Sequence, residues 1–87
     1  MHEFSLINDL MRKIDTIARE QNAKRVTAVK VRLGALAHIS ADHFREHFVE
    51  SAKGTIADGA KLQVESLTDE NDPQAQDIVL ESLEVEQ

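Results

Sequence analysis

Four histidines and no cysteine define the chemistry open to this 87-residue chain. His2 stands at the amino terminus, His38 stands alone, and His43 and His47 are four residues apart. The lack of thiols excludes disulfide staples, Cys-ligated zinc and thiol catalysis together. A metal bound here must sit on nitrogen and oxygen, a donor set that suits nickel, copper(II) or zinc.

His2 has the most specific chemistry. Its large side chain next to Met1 should block removal of the initiator methionine, so the mature chain is expected to begin Met1-His2. The Met1 amine, the His2 amide nitrogen and the His2 imidazole can then close two fused chelate rings on one ion. The amide of Glu3 supplies a fourth nitrogen. Such a planar nitrogen set favours nickel(II) or copper(II) over magnesium or calcium. The reference pKa of an α-amino group is about 8 and that of imidazole about 6.5, so both shed protons readily at cellular pH. On residue chemistry alone, a histidine at position two is also what a frayed terminus carries by chance.

His43 and His47 share a helix face, with Glu50 three residues further on. Two histidines at this spacing can clasp a metal. The run His43-Phe44-Arg45-Glu46-His47 nevertheless lacks the glutamate that the zinc-protease motif requires, and a solvated helix face is the competing account.

Composition narrows the function classes. Sixteen acidic and ten basic residues give a net charge of -6, and the aromatic residues are Phe4, Phe44 and Phe48. A nucleic-acid binder needs a basic surplus and stacking platforms, so none is expected. The apolar runs are far too short for a membrane span, and the opening Met-His-Glu is not a signal peptide. One cytoplasmic domain is expected, with no membrane partner. No enzyme is expected either: there is no Gly-rich phosphate loop and no Ser-His-Asp grouping, and the single glycine of Val31-Arg32-Leu33-Gly34-Ala35 makes no dinucleotide fingerprint.

The elements that must position these residues follow from periodicity. Between residues 5 and about 21, Leu6, Ile7, Leu10, Met11, Ile14, Ile17 and Ala18 mark an amphipathic helix that Asn22 and Ala23 close. Residues 26 to 33 alternate, with Val29, Val31 and Leu33 facing one way, which predicts a strand. Residues 35 to 40 form a loop. Ser40 caps a second helix that runs to about residue 53, with Ala41, Phe44, Phe48 and Ala52 inward and Gly54 as its stop. Leu62 and Val64 mark a second strand, and residues 68–77 a polar loop containing Pro73. The last strand, 78 to 85, changes phase between Leu80 and Leu83, which predicts a bulge near Glu81 or Ser82. The order helix-strand-helix-strand-strand predicts an α+β domain with two helices on one face of a three-stranded sheet. The last two strands are expected to form an antiparallel pair. The short loop before the last strand leaves room for strand exchange into a homodimer.

Met1-His2-Glu3-Phe4-Ser5-Leu6 resembles the opening of the HypA/HybF family of hydrogenase and urease nickel-incorporation proteins. The run from Lys24-Arg25-Val26 through Gly34-Ala35-Leu36 is similar to that family's first strand and turn. Phe44, Phe48, the stretch Gly54-Thr55-Ile56-Ala57-Asp58-Gly59-Ala60-Lys61-Leu62 and the closing Leu83-Glu84-Val85-Glu86 match in type and order. The resemblance implies a nickel metallochaperone that delivers Ni(II) to the maturing NiFe hydrogenase large subunit, or to another nickel enzyme, beside a HypB-like GTPase. It implies His2 as the indispensable ligand, with Met1 and Glu3 completing the set.

Two departures stand out. The family inserts a zinc domain with two Cys-x-x-Cys pairs between its second and third strands. Here residues 68–77 occupy that place, so no zinc is expected and the whole of 1–87 reads as a single nickel-binding domain. Some members also carry a carboxylate ligand after the first strand, where this chain has Ser40 and, two residues on, Asp42. His38, in the loop that the family fold brings near the amino terminus, is a candidate substitute; an exposed loop imidazole is the alternative. Loss of the zinc domain leaves a competing function open, that of a non-metal adaptor docking to a maturation GTPase or enzyme subunit.

Overall fold

The computed structural model describes the backbone of residues 2–87 and the side chains of residues 6–87. Its elements are α1 (His2–Glu20), β1 (Arg25–Leu33), α2 (Ala41–Ala52), β2 (Lys61–Ser66) and β3 (Ile78–Glu86). Element order and boundaries follow the periodicities closely. The expectations that rest on Met1 and on the side chains of His2 and Glu3 lie outside the described residues.

Each helix ends for a local reason. Asn22 takes a left-handed φ of 55°, and the amides of Ala23 and Asn22 donate to the carbonyls of Ala18 and Arg19 at 3.0 Å each. This paired closure satisfies carbonyls that the helix itself leaves without partners. At the start of α2 the Ser40 hydroxyl accepts the His43 amide at 3.1 Å, the cap its residue type predicts. Gly54, with φ 76°, follows the end of α2.

The sheet order is β2-β1-β3, with β1 parallel to β2 and antiparallel to β3. The expected antiparallel pairing of β2 with β3 is therefore wrong: the two strands lie on opposite edges. The reason is the helix between β1 and β2. Strands joined through a helix pair in parallel, because the crossover carries the chain back to the same end of the sheet. β3 then takes the free side of β1, where its nine residues match the nine of β1. The predicted bulge is present: Lys30 faces Ser82 and Val31 faces Leu80, which leaves Glu81 unopposed.

Both helices cover one face of the sheet, α1 over β3 and α2 over β2, and touch each other. The core between these layers contains Ile7, Leu10, Ile14, Val29, Val31, Phe44 and Phe48, all nearly without solvent contact. Its position fixes the rotation of both helices, since each presents one apolar stripe. The other sheet face is polar. There Glu81 meets Lys30 at 3.0 Å and also pairs with Arg32, and Glu65 lies 3.7 Å from Arg32. The hydrogen bond from Lys30, then that from Arg32, holds the Glu81 carboxyl below its ordinary value.

Candidate metal site

His38 sits at the tip of the β1–α2 loop, exposed, in a left-handed conformation with φ 59°. That conformation is uncommon for a residue with a Cβ and turns the chain sharply back toward α2. The loop is tied down by backbone bonds: Ala37 to the Gly34 carbonyl at 3.0 Å, Leu36 to the Ala75 carbonyl at 2.7 Å, and Gly34 to the Asp77 carbonyl at 2.9 Å. His38 is thus mounted on two loops that brace each other.

A shallow depression of about 410 Å³ lies beside it, lined by Leu6, His38, Gln76 and Asp77 among others. Leu6 belongs to α1, which begins at His2. At a rise of about 1.5 Å per residue, position 6 lies roughly 6 Å along the axis from position 2. The loop histidine and the opening turns of α1 therefore occupy the same end of the molecule. Because an α-helix leaves its first amides without intrahelical acceptors, the helix does not occupy the backbone nitrogens of His2 and Glu3.

The oxygen donors fall differently from expectation. Ser40 spends its hydroxyl on capping α2, and Asp42 stands in the first turn of that helix. The carboxylate-bearing residue in the His38 depression is Asp77, which sequence reasoning left inside an undifferentiated polar loop. Its place follows from the sheet register, which no sequence pattern gives: Asp77 immediately precedes Ile78, the residue paired with Leu33 at the end of β1. The β1–α2 loop departs from that same end.

His43 and His47 are brought together on α2, their Nε2 atoms 2.7 Å apart. His43 follows His38 by five residues in sequence, on the helix that the His38 loop leads into. Among the described residues, no group of three or more His, Cys, Asp or Glu converges on one point. Among them, too, no helix is long and apolar enough to cross a membrane.

The family model described as hydrogenase/urease nickel incorporation, metallochaperone, HypA, matches residues 1–72. The hydrogenase maturation factor HypA of Archaeoglobus fulgidus is 42% identical over 64 residues, 74% of this chain and 58% of that protein. The same factor of Aquifex aeolicus is 40% identical over 65 residues, 75% of this chain and 56% of its own length. The match thus spans under three fifths of these curated relatives. The solution structure of the Ni metallochaperone HypA from Helicobacter pylori superposes with a TM-score of 0.78 over 97% of both chains, at 16% identity, and so shares the fold. With a family model covering most of its residues and close relatives agreeing with it, the chain belongs to the HypA family of hydrogenase and urease nickel-incorporation proteins.

Proposed function

We propose that this protein is a nickel metallochaperone that binds Ni(II) at its amino terminus and hands it on during maturation of NiFe hydrogenase or another nickel enzyme. Family membership over residues 1–72 supports the class of function. The observation that carries the site is that His38 lines one depression with Leu6, which lies about one helical turn along α1 from position 2. The Met1 amine, the amides of His2 and Glu3 and the His2 imidazole supply the nitrogen chelate. His38 supplies a further ligand from the side, and Asp77 an oxygen.

A site built on a chain terminus is open to solvent on one side, which suits an ion that must be released to a recipient. The recipient we infer is a hydrogenase large subunit, with a HypB-like GTPase as the working partner, in the cytoplasm. Residues 68–77 stand in place of the family's zinc domain, so 1–87 acts as one nickel-binding domain, and any role of that domain in partner choice falls to another surface.

Calorimetric nickel titration of untagged protein tests the reading, beside His2→Ala and a variant with Gly-Ser ahead of Met1. One tight equivalent that disappears in both variants is expected. Tight binding that survives both would remove the terminal chelate. An absence of tight binding in the untagged protein would favour the adaptor function.

A further inference from the structure

β2 is an edge strand: the sheet order β2-β1-β3 leaves its far side without a neighbouring strand among the described residues. Two hydrogen bonds tell which of its residues face that open side. The Leu67 amide donates to the Leu33 carbonyl of β1 at 2.9 Å. Leu67, and with it Glu65, Gln63 and Lys61 at every second position, therefore turns its main chain toward β1. Leu62, Val64 and Ser66 turn theirs outward. The Leu62 carbonyl agrees, since it accepts from the Arg45 guanidinium of α2, at 2.8 Å, rather than from β1. A carbonyl oxygen has two lone pairs, so Leu62 can still accept a second donor.

An open row of main-chain donors and acceptors is a template for another strand. The sequence of β2 says which strand fits. An antiparallel partner must set outward-facing residues opposite outward-facing residues, or the hydrogen-bonded pairs do not form. A second β2, turned about a two-fold axis through Gln63, meets that condition. Leu62 then lies opposite Val64 of the second copy, and Val64 opposite its Leu62. In the same register Lys61 lies opposite Glu65 of the second copy, and Glu65 opposite its Lys61, so both charges of the strand meet their opposites. Moving the axis to Leu62 or Val64 keeps the outward parity but sets Lys61 or Glu65 against Gln63, and both ion pairs are lost.

The faces match as well. Directly opposite residues share a face, so the half-buried Leu62 and Val64 continue the apolar layer beneath the helices, and Lys61, Gln63 and Glu65 continue the polar one. Lys61 has no ion-pair partner among the described residues, and Glu65 reaches only Arg32, at 3.7 Å. Val49 is the one exposed large hydrophobic side chain among the described residues, 54% open. It follows Arg45 by four residues, so it lies on the side of α2 that overlooks the same edge.

We propose that this edge is a self-association surface, at which two copies pair β2 with β2 into one continuous sheet. The β1 strands of the two copies then run in opposite directions, so the two His38 loops lie at opposite ends of the joined sheet and both stay open. Each β3 remains paired with its own β1, in contrast to a dimer made by exchange of the last strand. The surface uses none of the proposed nickel ligands and stands or falls apart from them.

The test is sedimentation equilibrium of the untagged full chain, with EDTA present, from micromolar to millimolar concentration, beside Lys61→Glu and Glu65→Lys. The parent should form a reversible dimer. Each variant should associate about tenfold more weakly or worse, because two attractive cross-strand pairs become two repulsive ones. An equimolar mixture of the two variants should recover the parental association, since residue 61 of each chain again meets the opposite charge at residue 65 of the other. Net charge predicts otherwise: Glu65→Lys makes an acidic chain less negative and would by itself strengthen association. Far-ultraviolet dichroism shows that both variants are folded. Hydrogen exchange in the parent needs no variant: the amides of Leu62 and Val64 should slow as concentration rises, while those of β3 keep their rates. A parent that stays monomeric at millimolar concentration would overturn the proposal. So would single variants that associate as the parent does, folded variants whose mixture fails to recover, or added protection at β3 in place of Leu62 and Val64.

Discussion

Gly34 packs its α-carbon directly against the backbone of Ala75: a Cβ built there would fall 2.1 Å from the Ala75 carbonyl oxygen and 2.4 Å from its carbon. The obstructing atoms are main chain, so no side-chain rotation relieves the clash. Gly34→Ala must push apart the two loops joined by the Leu36–Ala75 and Gly34–Asp77 hydrogen bonds. A loss of about 3 kcal/mol or more is expected in urea unfolding, in the range of severe backbone effects. Gly59→Ala provides the contrast. Gly59 has φ 79° and nothing within 4 Å of the place an added methyl group would take, so only the left-handed penalty of about 1–2 kcal/mol applies.

Phe44 and Phe48 are the largest enclosed side chains among the described residues, and Phe44 joins α2 to the core. Phe44→Ala removes its burial and leaves a cavity, at a cost of about 3–5 kcal/mol. A domain of this size has a stability of only about 5–15 kcal/mol, so a large part of it is lost. Phe44→Leu should cost distinctly less. Denaturant midpoints at constant slope check both substitutions.

The order of elements, both caps, the α2 core face and the bulge at Glu81 are legible in the sequence because each is a local pattern. Ser40, Asn22 and the phase change between Leu80 and Leu83 each act within a few residues of themselves. Strand pairing is not local. The ten-residue loop 68–77 after β2 suggests a hairpin, but the helix between β1 and β2 dictates a parallel crossover, and that outweighs loop length. Asp77 escapes sequence reasoning because its nearness to His38 depends on the backbone braces between residues 34–37 and 75–77, which no periodicity reveals.

The pairing of Glu81 with Lys30 and Arg32 gives stability an acid-side dependence. Its carboxyl is held below the ordinary value of 4.5, so the folded state binds the proton more weakly than the unfolded chain does. That contribution is complete above the unfolded value and is lost as pH falls through the folded one. Thermal midpoints of Glu81→Gln should therefore lie below those of the parent protein at neutral pH and converge with them in acid. Because both cations are partly exposed, the neutral-pH difference should shrink in high salt. A difference that persists unchanged in acid would show that packing, rather than charge, explains it.

His38 separates a four-nitrogen chelate from a larger coordination sphere. If the amino-terminal nitrogens form the whole plane, His38 adds only an axial ligand, and His38→Ala should weaken nickel binding without abolishing it. His2→Ala, which removes the imidazole and breaks a chelate ring, should abolish the tight equivalent. Asp77→Asn keeps the shape of the depression and removes its charge, so it should weaken binding by less than His2→Ala does. Every nitrogen of the proposed plane must be free of its proton, so affinity should rise with pH and binding should release protons into the buffer. Calorimetry in two buffers of different ionisation heat counts those protons. Release well above one per nickel matches amide coordination, since imidazole and amine alone give up few protons near neutrality. Release near zero would remove the backbone amides from the site and leave nickel on imidazoles and carboxylates.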